Sequence, residues 1–114
     1  LWSELIFAWR TAWRTKSNAI VLTKNSASVG IGGGFTNRVD AARYAIDQAG
    51  EKAHGSIMGS DAFFPFPDTV ELAAAAGIVA IIQPGGSIKD EEVAHRAEEL
   101  GISMFMGGPR TFRH

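Results

Sequence analysis

Short apolar segments alternate with helical patterns along the second half of this chain, and this alternation strongly constrains the fold. The segments GSIMGS (55–60), IVAII (78–82) and ISMFM (102–106) have the length and composition of buried strands. Helical spacing fills the intervals, and Gly77 and Gly101 mark where the helices end. A β–α–β–α–β order predicts a sheet with helices packed on it, in which 78–82 and 102–106 are adjacent, parallel inner strands.

The first half of the chain predicts a helix, a hairpin and a second helix. NAIVLTK (18–24) and SVGIGG (28–33) are β-rich and flank a short break, which indicates an antiparallel hairpin. Thr36 or Asn37 caps a helix from about 38 to 50. In the first helix, residues 2–14, one apolar stripe is formed by Trp2, Leu5, Ile6, Trp9 and Trp13. The expected fold is a single three-layer α/β domain over 1–114, with a mixed sheet flanked by helices.

Composition argues against several classes of function. A net charge of -1 offers no basic face to nucleic acid or an anionic membrane. The absence of cysteine excludes thiolate zinc sites and is compatible with the reducing cytoplasm, where we expect the protein to act. No apolar run reaches the roughly 18 residues that cross a membrane. The chain begins without Met and within a helical pattern, as a piece of a longer protein would.

The segment SDAFFPFPD (60–68) combines three phenylalanines with two prolines. The prolines argue against a buried central strand, and the phenylalanines are unusual in a solvent-exposed loop. Asp68 and Glu71 have the spacing of a capping box at the start of the next helix. The segment is therefore predicted to be a stiff aromatic loop, held by a strand before it and a capped helix after it.

Two glycine-rich segments have more than one interpretation. GIGGGF (30–35) is weakly similar to a nucleotide-binding glycine loop, but Phe35 departs from the pattern, and the glycines can instead allow backbones to approach closely. QPGGS (83–87) follows a buried strand at the end where α/β sheets bind ligands. Ser87 can equally cap the following helix with Asp90 as its partner.

The closing PRTFRH (109–114) places arginines, an aromatic ring and an imidazole at the last residues. Such a terminus either frays or is tied down at a site, whereas His54 and His95 look like ordinary surface histidines. Rings that stack on an aromatic group and arginines that pair with a phosphate favour a small, flat, anionic ligand.

Several long motifs together resemble one family. They are KSNAIVL, VGIGGG…NRVDAAR, SDAFFPFPD, AAGIVAIIQPGGSIKDEEV and the closing FRH. In this order they resemble the C-terminal region of the bifunctional AICAR transformylase and IMP cyclohydrolase family of purine biosynthesis, over essentially all of the chain. The resemblance implies the second of two related halves with a cytidine-deaminase-like fold, without the zinc signature of the deaminases. It also implies formyl transfer from 10-formyltetrahydrofolate to AICAR, at active sites formed across a homodimer interface.

The resemblance implies roles for residues of the nucleotide side. Asn18 and Arg38 look like the residues that reach the nucleotide across the dimer interface, with Asn18 among the catalytic groups. Phe63 is similar to the aromatic that contacts the AICAR base. Arg110 and His114 look like the nucleotide-binding arginine and the active-site histidine.

The resemblance also implies a folate side, formed by Pro65, Asp68 and Ser87. The Lys-His catalytic motif of the family belongs to the first half of its transformylase region, and neither that motif nor the cyclohydrolase domain occurs here. The chain alone is therefore expected to be inactive and to need a partner, either a second copy or the missing N-terminal half. The alternative is a non-catalytic nucleotide-binding or assembly module that keeps the fold.

Overall fold

A computed structural model describes residues 2–15, 18–64 and 67–106. In chain order the elements are α1 (Trp2–Arg14), β1 (Ile20–Lys24), β2 (Ala27–Gly32), α2 (Arg38–Ala49), a 3-10 helix (Gly50–Ala53), β3 (Ile57–Ser60), α3 (Asp68–Ala75), β4 (Ala80–Gln83), α4 (Asp90–Glu99) and β5 (Ser103–Met106). Each helix and strand expected from the sequence is present, and the 3-10 helix was not predicted.

The described residues form one mixed sheet of five strands in the order β2-β1-β3-β4-β5. β1 pairs antiparallel with β2 and with β3, so the predicted hairpin is confirmed. β4 is parallel to β3 and to β5, which confirms the predicted parallel neighbours. The expectation that both are inner strands is wrong for β5, which lies at an edge of this sheet. Its Ser103 is exposed and its apolar residues are only partly buried, because helices cover the two faces but none of the described strands pairs with its outer edge.

Helices cover both faces of the sheet, as predicted. On one face, α1 packs Leu5 and Trp9 against alternate strand residues that include Ile57 and Ile82. On the other face, the residues between them, such as Met58, pack with α2, α3 and α4. The separation follows from the two-residue repeat of a strand, which sends successive side chains to opposite faces.

The apolar stripe predicted on α1 is buried along its centre and exposed at its borders. Leu5 and Trp9 are buried, whereas Trp2 and Trp13 are 46% and 50% exposed. The two exposed rings still make edge-on contacts, Trp2 with Phe105 and Trp13 with Trp9. One helix therefore covers the centre of this face and leaves two indole rings partly in solvent.

The glycines of β2 allow α2 to lie directly against the strand. A Cβ built on Gly30 would lie 2.1 Å from the carbonyl oxygen of Ala45, and one built on Gly32 would lie 2.3 Å from that of Ala41. Both distances are too short for any side chain. For these two positions the structure supports close backbone approach as the reason for the glycine-rich sequence. Asn37 caps α2 by accepting a hydrogen bond from the Asp40 N–H, as predicted.

Gly77 and Gly101 end their helices in the same way. Each has a positive φ, and the residue after it donates a backbone hydrogen bond five residues back into the helix. The capping box predicted at Asp68 is wrong. Pro67 already has helical backbone angles, so Asp68 is the first helical residue and accepts a hydrogen bond from the Thr69 N–H instead. Glu71 pairs with Arg96 of α4 at 3.2 Å.

Candidate functional site

Several loops meet at the end of the sheet where the parallel strands β3 and β4 finish. The register places Ile20 opposite both Ser60 and Gly32, so the start of β1 and the ends of β2 and β3 lie together. The segments 33–37, 61–64 and 84–87 leave the sheet at this end. In α/β sheets, ligands bind outside the carboxyl ends of the strands, so a binding site is expected at this end.

The Arg38 guanidinium, at the start of α2, contacts the segment 61–64 and the residue Asn18 before β1. Its Nη2 donates to Asn18 Oδ1 at 2.6 Å, and its Nη1 donates to the carbonyl oxygen of Phe63 at 3.2 Å. Asp61 Oδ1 lies 3.6 Å from Nη2, and the Arg38 and Asp61 side chains are only 11% and 7% exposed. Arg38 Nε is buried and has no hydrogen-bond partner among the described residues. The guanidinium is therefore held by two hydrogen bonds and faces the Asp61 carboxylate, while its Nε has no partner within the described ranges.

Asn18 is fixed from both sides of its amide. Its Oδ1 accepts from Arg38, and its Nδ2 donates to the carbonyl oxygen of Thr36 at 3.0 Å. Its backbone N–H donates to the Phe35 carbonyl at 3.1 Å. The side chain thus connects the start of β1 to the loop before α2, and its amide orientation follows from the two partners.

Asp61 is a site residue that the sequence analysis missed. Its Oδ1 accepts from the Ala19 N–H at 3.1 Å, in addition to facing Arg38. The available signal was an acidic residue directly after a buried strand, at the end of the sheet where ligands bind. The contact with Arg38 could not be inferred, because it spans positions far apart in sequence.

The described part of the aromatic loop, residues 61–64, is held against the glycine turn, residues 84–87. Gln83 was also missed by the sequence analysis: its buried Oε1 accepts from the Phe64 N–H at 3.3 Å and from the Gly85 N–H at 3.2 Å. A Cβ on Gly86 would lie 3.9 Å from Phe63 Cδ2, so the ring of Phe63 is beside this turn. The sequence signal for Gln83 was a polar residue at the end of an otherwise apolar strand.

Ser87 and Asp90 form the reciprocal pair that the sequence predicted. The Ser87 hydroxyl accepts from the Lys89 N–H at 3.0 Å. The Asp90 carboxylate accepts from the Ser87 N–H at 3.1 Å and from the Gly86 N–H at 2.7 Å. These bonds fix the shape of the glycine turn. They do not make Ser87 the residue that caps α4, because the helix begins at Asp90 and no side chain caps it at Lys89.

A cleft of about 540 Å³ opens beside the Arg38 network. Its described lining includes Asn18, Arg38, Asp68 and Thr69. A volume of this size is typical of small-molecule sites. Three positions that the resemblance assigns to the site, one before β1 and one at the start of each of α2 and α3, therefore share one concave surface.

The structure brings together most of the site residues that it describes. Asn18 and Arg38 are hydrogen-bonded, and Arg38 also bonds the backbone of Phe63. Asp68 lines the same cleft, and Ser87 belongs to the turn beside Phe63. Outside the described residues lie Pro65, Arg110 and His114. Within the described ranges, no cluster of three or more histidine, cysteine or acidic side chains is placed to hold a metal ion.

No helix in the described part of the chain combines the length and apolar character that crossing a membrane requires.

The histidines in the described part of the chain are peripheral to the cleft. His95 is 3.9 Å from Glu99 on the exposed side of α4. The backbone carbonyl of His54 accepts from Lys24 at the far end of the sheet.

Solved structures with a similar fold include two kinds of deaminase. RibD of Acinetobacter baumannii matches 96% of this chain and 35% of its own with a TM-score of 0.66 and 15% identity. The dCMP deaminase of the cyanophage S-TIM5, solved with dCMP and dUMP, matches 86% of this chain and 92% of its own with a TM-score of 0.61 and 16% identity. At such identity the likeness concerns the fold alone, and it confirms the predicted cytidine-deaminase-like architecture.

Sequence relatives identify the family. A family model described as AICARFT/IMPCHase bienzyme matches residues 1–48. The bifunctional purine biosynthesis protein PurH of Halalkalibacterium halodurans is 61% identical over 113 residues, and that of Bacillus subtilis is 58% identical. Each match includes 99% of this chain and 22% of the relative, so the chain spans about a fifth of the length of these curated relatives. The chain belongs to the family of the bifunctional purine biosynthesis protein PurH.

Proposed function

We propose that this chain supplies part of an AICAR transformylase site, at which a formyl group passes from 10-formyltetrahydrofolate to AICAR in purine biosynthesis in the cytoplasm. The observation that carries the proposal is the meeting of Asn18, Arg38 and Asp68 in the lining of one cleft, with the Phe63 backbone bonded to Arg38. All four residues lie in motifs that resemble the family. A set of unrelated surface positions would have no reason to converge.

The chemistry of the cleft suits a flat, anionic substrate. Phe63 is 40% exposed, so one side of its ring is available for stacking on a heterocycle. Arg38 lines the cleft, and its guanidinium is a donor group that suits the acceptor atoms of an anionic ligand. We place AICAR on this side, with Arg110 as a phosphate partner, and the folate on the side of Pro65, Asp68 and Ser87.

Formyl transfer sets a requirement that this chain does not meet alone. The amine nitrogen of AICAR attacks the formyl carbon, the bond from that carbon to the folate nitrogen breaks, and the proton lost by the amine returns to the folate nitrogen. An aromatic amine is a poor nucleophile, so a base must accept that proton while donors stabilise the tetrahedral oxyanion. We assign His114 a proton-transfer role and Asn18 an orienting role. The sequence contains no Lys-His pair, so the remaining catalytic groups must come from elsewhere.

We therefore propose that the working site needs either a second copy of the chain or the remaining length found in its relatives. The direct experiment combines this chain in trans with a Bacillus subtilis PurH that lacks the matching segment. Formyl transfer is followed by the release of tetrahydrofolate from 10-formyltetrahydrofolate in the presence of AICAR. We expect no turnover by the chain alone and measurable turnover by the mixture.

His114→Ala in the mixture is expected to lower turnover by about 10²-fold, the scale of a lost proton-transfer group. The matched control is His95→Ala, since His95 is an exposed residue of α4 remote from the cleft. Turnover by the chain alone would contradict the proposal that some catalytic groups come from a partner. Unchanged turnover in the His114→Ala mixture would show that His114 does not belong to the site. A mixture that binds AICAR without turnover would favour the alternative of a non-catalytic module.

A further inference from the structure

Gln83 is a fully buried polar side chain at the end of β4, a strand that is otherwise apolar. Burying a primary amide without hydrogen bonds is strongly unfavourable. The Gln83 amide therefore needs hydrogen-bond partners at this buried position. Those contacts lead into two loops and not into the strand itself. Gln83 does not line the cleft described above.

One oxygen atom of Gln83 serves both loops. Its Oε1 accepts from the Phe64 N–H of the aromatic loop and from the Gly85 N–H of the glycine turn. The opposite end of the amide, Nε2, lies 3.7 Å from Met104 Sδ on the neighbouring strand β5. Because sulfur accepts hydrogen bonds only weakly, this contact orients the amide while the two backbone bonds hold it.

The function proposed above uses both loops. Phe63 of the aromatic loop is assigned to the AICAR base, and the folate side is divided between Pro65 of the same loop and Ser87 of the glycine turn. Formyl transfer needs the amine nitrogen and the formyl carbon to approach to about 3–3.5 Å, and a displacement of about 1 Å can cost about 10²-fold in rate. A link that fixes the separation of the two loops therefore bears directly on the rate.

We propose that Gln83 is a positioning residue for formyl transfer, which locks the aromatic loop to the glycine turn and so sets the placement of one substrate relative to the other. This inference rests on the proposed function. Gln83 touches neither substrate, so its loss should act on turnover more than on the affinity for either substrate. An amide suits this task because it offers an acceptor to two N–H groups without placing a charge in the core.

The first test measures the link in the chain itself, without any ligand. In Gln83→Leu, the Phe64 and Gly85 N–H groups lose their acceptor, and their hydrogen exchange should accelerate together by about 10-fold, the scale of a lost hydrogen bond. Gln83→Glu keeps an acceptor oxygen at the same reach. Because the core disfavours a charge, it should restore much of the protection at acidic pH, where the carboxyl is protonated.

The matched control is Thr23→Val, which removes a buried hydroxyl that has no hydrogen-bond partner among the described residues and lies in β1. It should leave both amides unchanged. Unchanged exchange of Phe64 and Gly85 in Gln83→Leu would overturn the link. Acceleration spread evenly over the whole sheet would also count against it, because that pattern indicates general destabilisation.

The second test measures the consequence for the reaction, in Bacillus subtilis PurH carrying this chain in place of its matching segment. We expect Gln83→Leu to lower kcat by about 10-fold or more while KM for AICAR and for 10-formyltetrahydrofolate changes by less than about 3-fold. Thr23→Val should leave both parameters unchanged. An unaltered kcat in Gln83→Leu would overturn the positioning role. An inactive chimera without substitutions would instead contradict the proposed function, and hydrogen exchange would still decide whether Gln83 joins the loops.

Discussion

Two adjacent phenylalanines in the aromatic loop have opposite surroundings. Phe63 is 40% exposed and lies beside the glycine turn, whereas Phe64 is fully buried among side chains from several elements. The backbone N–H of Phe64 is also bonded to Gln83. The loop is therefore anchored by one ring while the next ring is presented at the surface, and this arrangement lowers the cost of ordering the loop around a ligand.

This contrast predicts separate effects of the two alanine substitutions. Phe64→Ala should lower the free energy of unfolding by about 3–5 kcal/mol, because it leaves a cavity in the core. Phe63→Ala should change stability by less than about 1 kcal/mol and should mainly weaken AICAR binding. Denaturant unfolding and AICAR titration of both variants separate the two effects. A strongly destabilised Phe63→Ala would show that its ring is a core anchor as well.

At the scale of single residues, the sequence indicated positions that the structure places close together, but it did not predict how they interact. Arg38 was chosen as a ligand contact, but its guanidinium also bonds Asn18 and the Phe63 backbone and faces Asp61. These contacts join residues about 20 or more positions apart, so no local pattern encodes them. Asp61 and Gln83 were missed for the same reason.

At the scale of elements, the packing of α2 on β2 depends on the absence of side chains. Gly30 and Gly32 face the backbone of α2, and small residues line the helix at the contact, among them Ala41 and Ala45. Such an approach brings the helix as close to the sheet as backbone atoms allow. Because α2 begins at Arg38, the position of the helix also sets the position of the guanidinium.

Gly32→Ala is therefore expected to destabilise the fold by about 1–3 kcal/mol, the usual cost of overpacking, and to displace Arg38. The control is Gly101→Ala, where a Cβ would meet no atom within 4 Å and only the left-handed backbone conformation is penalised. Thermal unfolding compares stability, and AICAR affinity reports on Arg38. Equal losses of AICAR affinity in the two variants would contradict a specific link between this packing and the cleft.

Helices and strands whose pattern lies within a few neighbouring residues were predicted well. The start of α3 and the place of β5 in the sheet were predicted less well. Helix ends at Gly77 and Gly101 follow from a backbone conformation that glycine adopts readily, so the sequence alone sufficed. The box at Asp68 failed because the angles of Pro67 already belong to the helix. The edge position of β5 was missed because helices cover both faces of this strand. Its sequence is therefore as apolar as that of a central strand with a neighbour on each side.

At the scale of the whole molecule, the two faces of the sheet are covered unequally. α2, α3 and α4 pack on one face, whereas α1 alone covers the other within the described ranges. Trp2 and Trp13 remain about half exposed on that side. The sequence predicted the two-sided covering, but the extent of the exposed indole surface depends on how far one helix reaches across the strands.

We expect the isolated chain to associate with a second copy at high micromolar concentration, because exposed indole rings favour burial. Trp13→Lys should shift the sedimentation profile toward the monomer. Tyr44→Lys is the matched control, since Tyr44 is exposed to a similar degree on α2. A strictly monomeric profile of the unsubstituted chain would contradict this expectation, as would equal effects of the two substitutions.

The close contact of α2 with β2 also bears on how such a domain can diverge. Gly30 and Gly32 restrict substitution in the interior, because any side chain there would displace a helix. In the glycine turn, by contrast, a Cβ on Gly85 or Gly86 would come no nearer than 3.1 Å to a neighbouring atom, so only the positive φ of these residues strongly opposes substitution there. A side chain in the turn would therefore alter the local backbone, whereas a side chain at Gly30 or Gly32 would move a whole helix. We expect this domain to accept changes beside its cleft more readily than changes under α2.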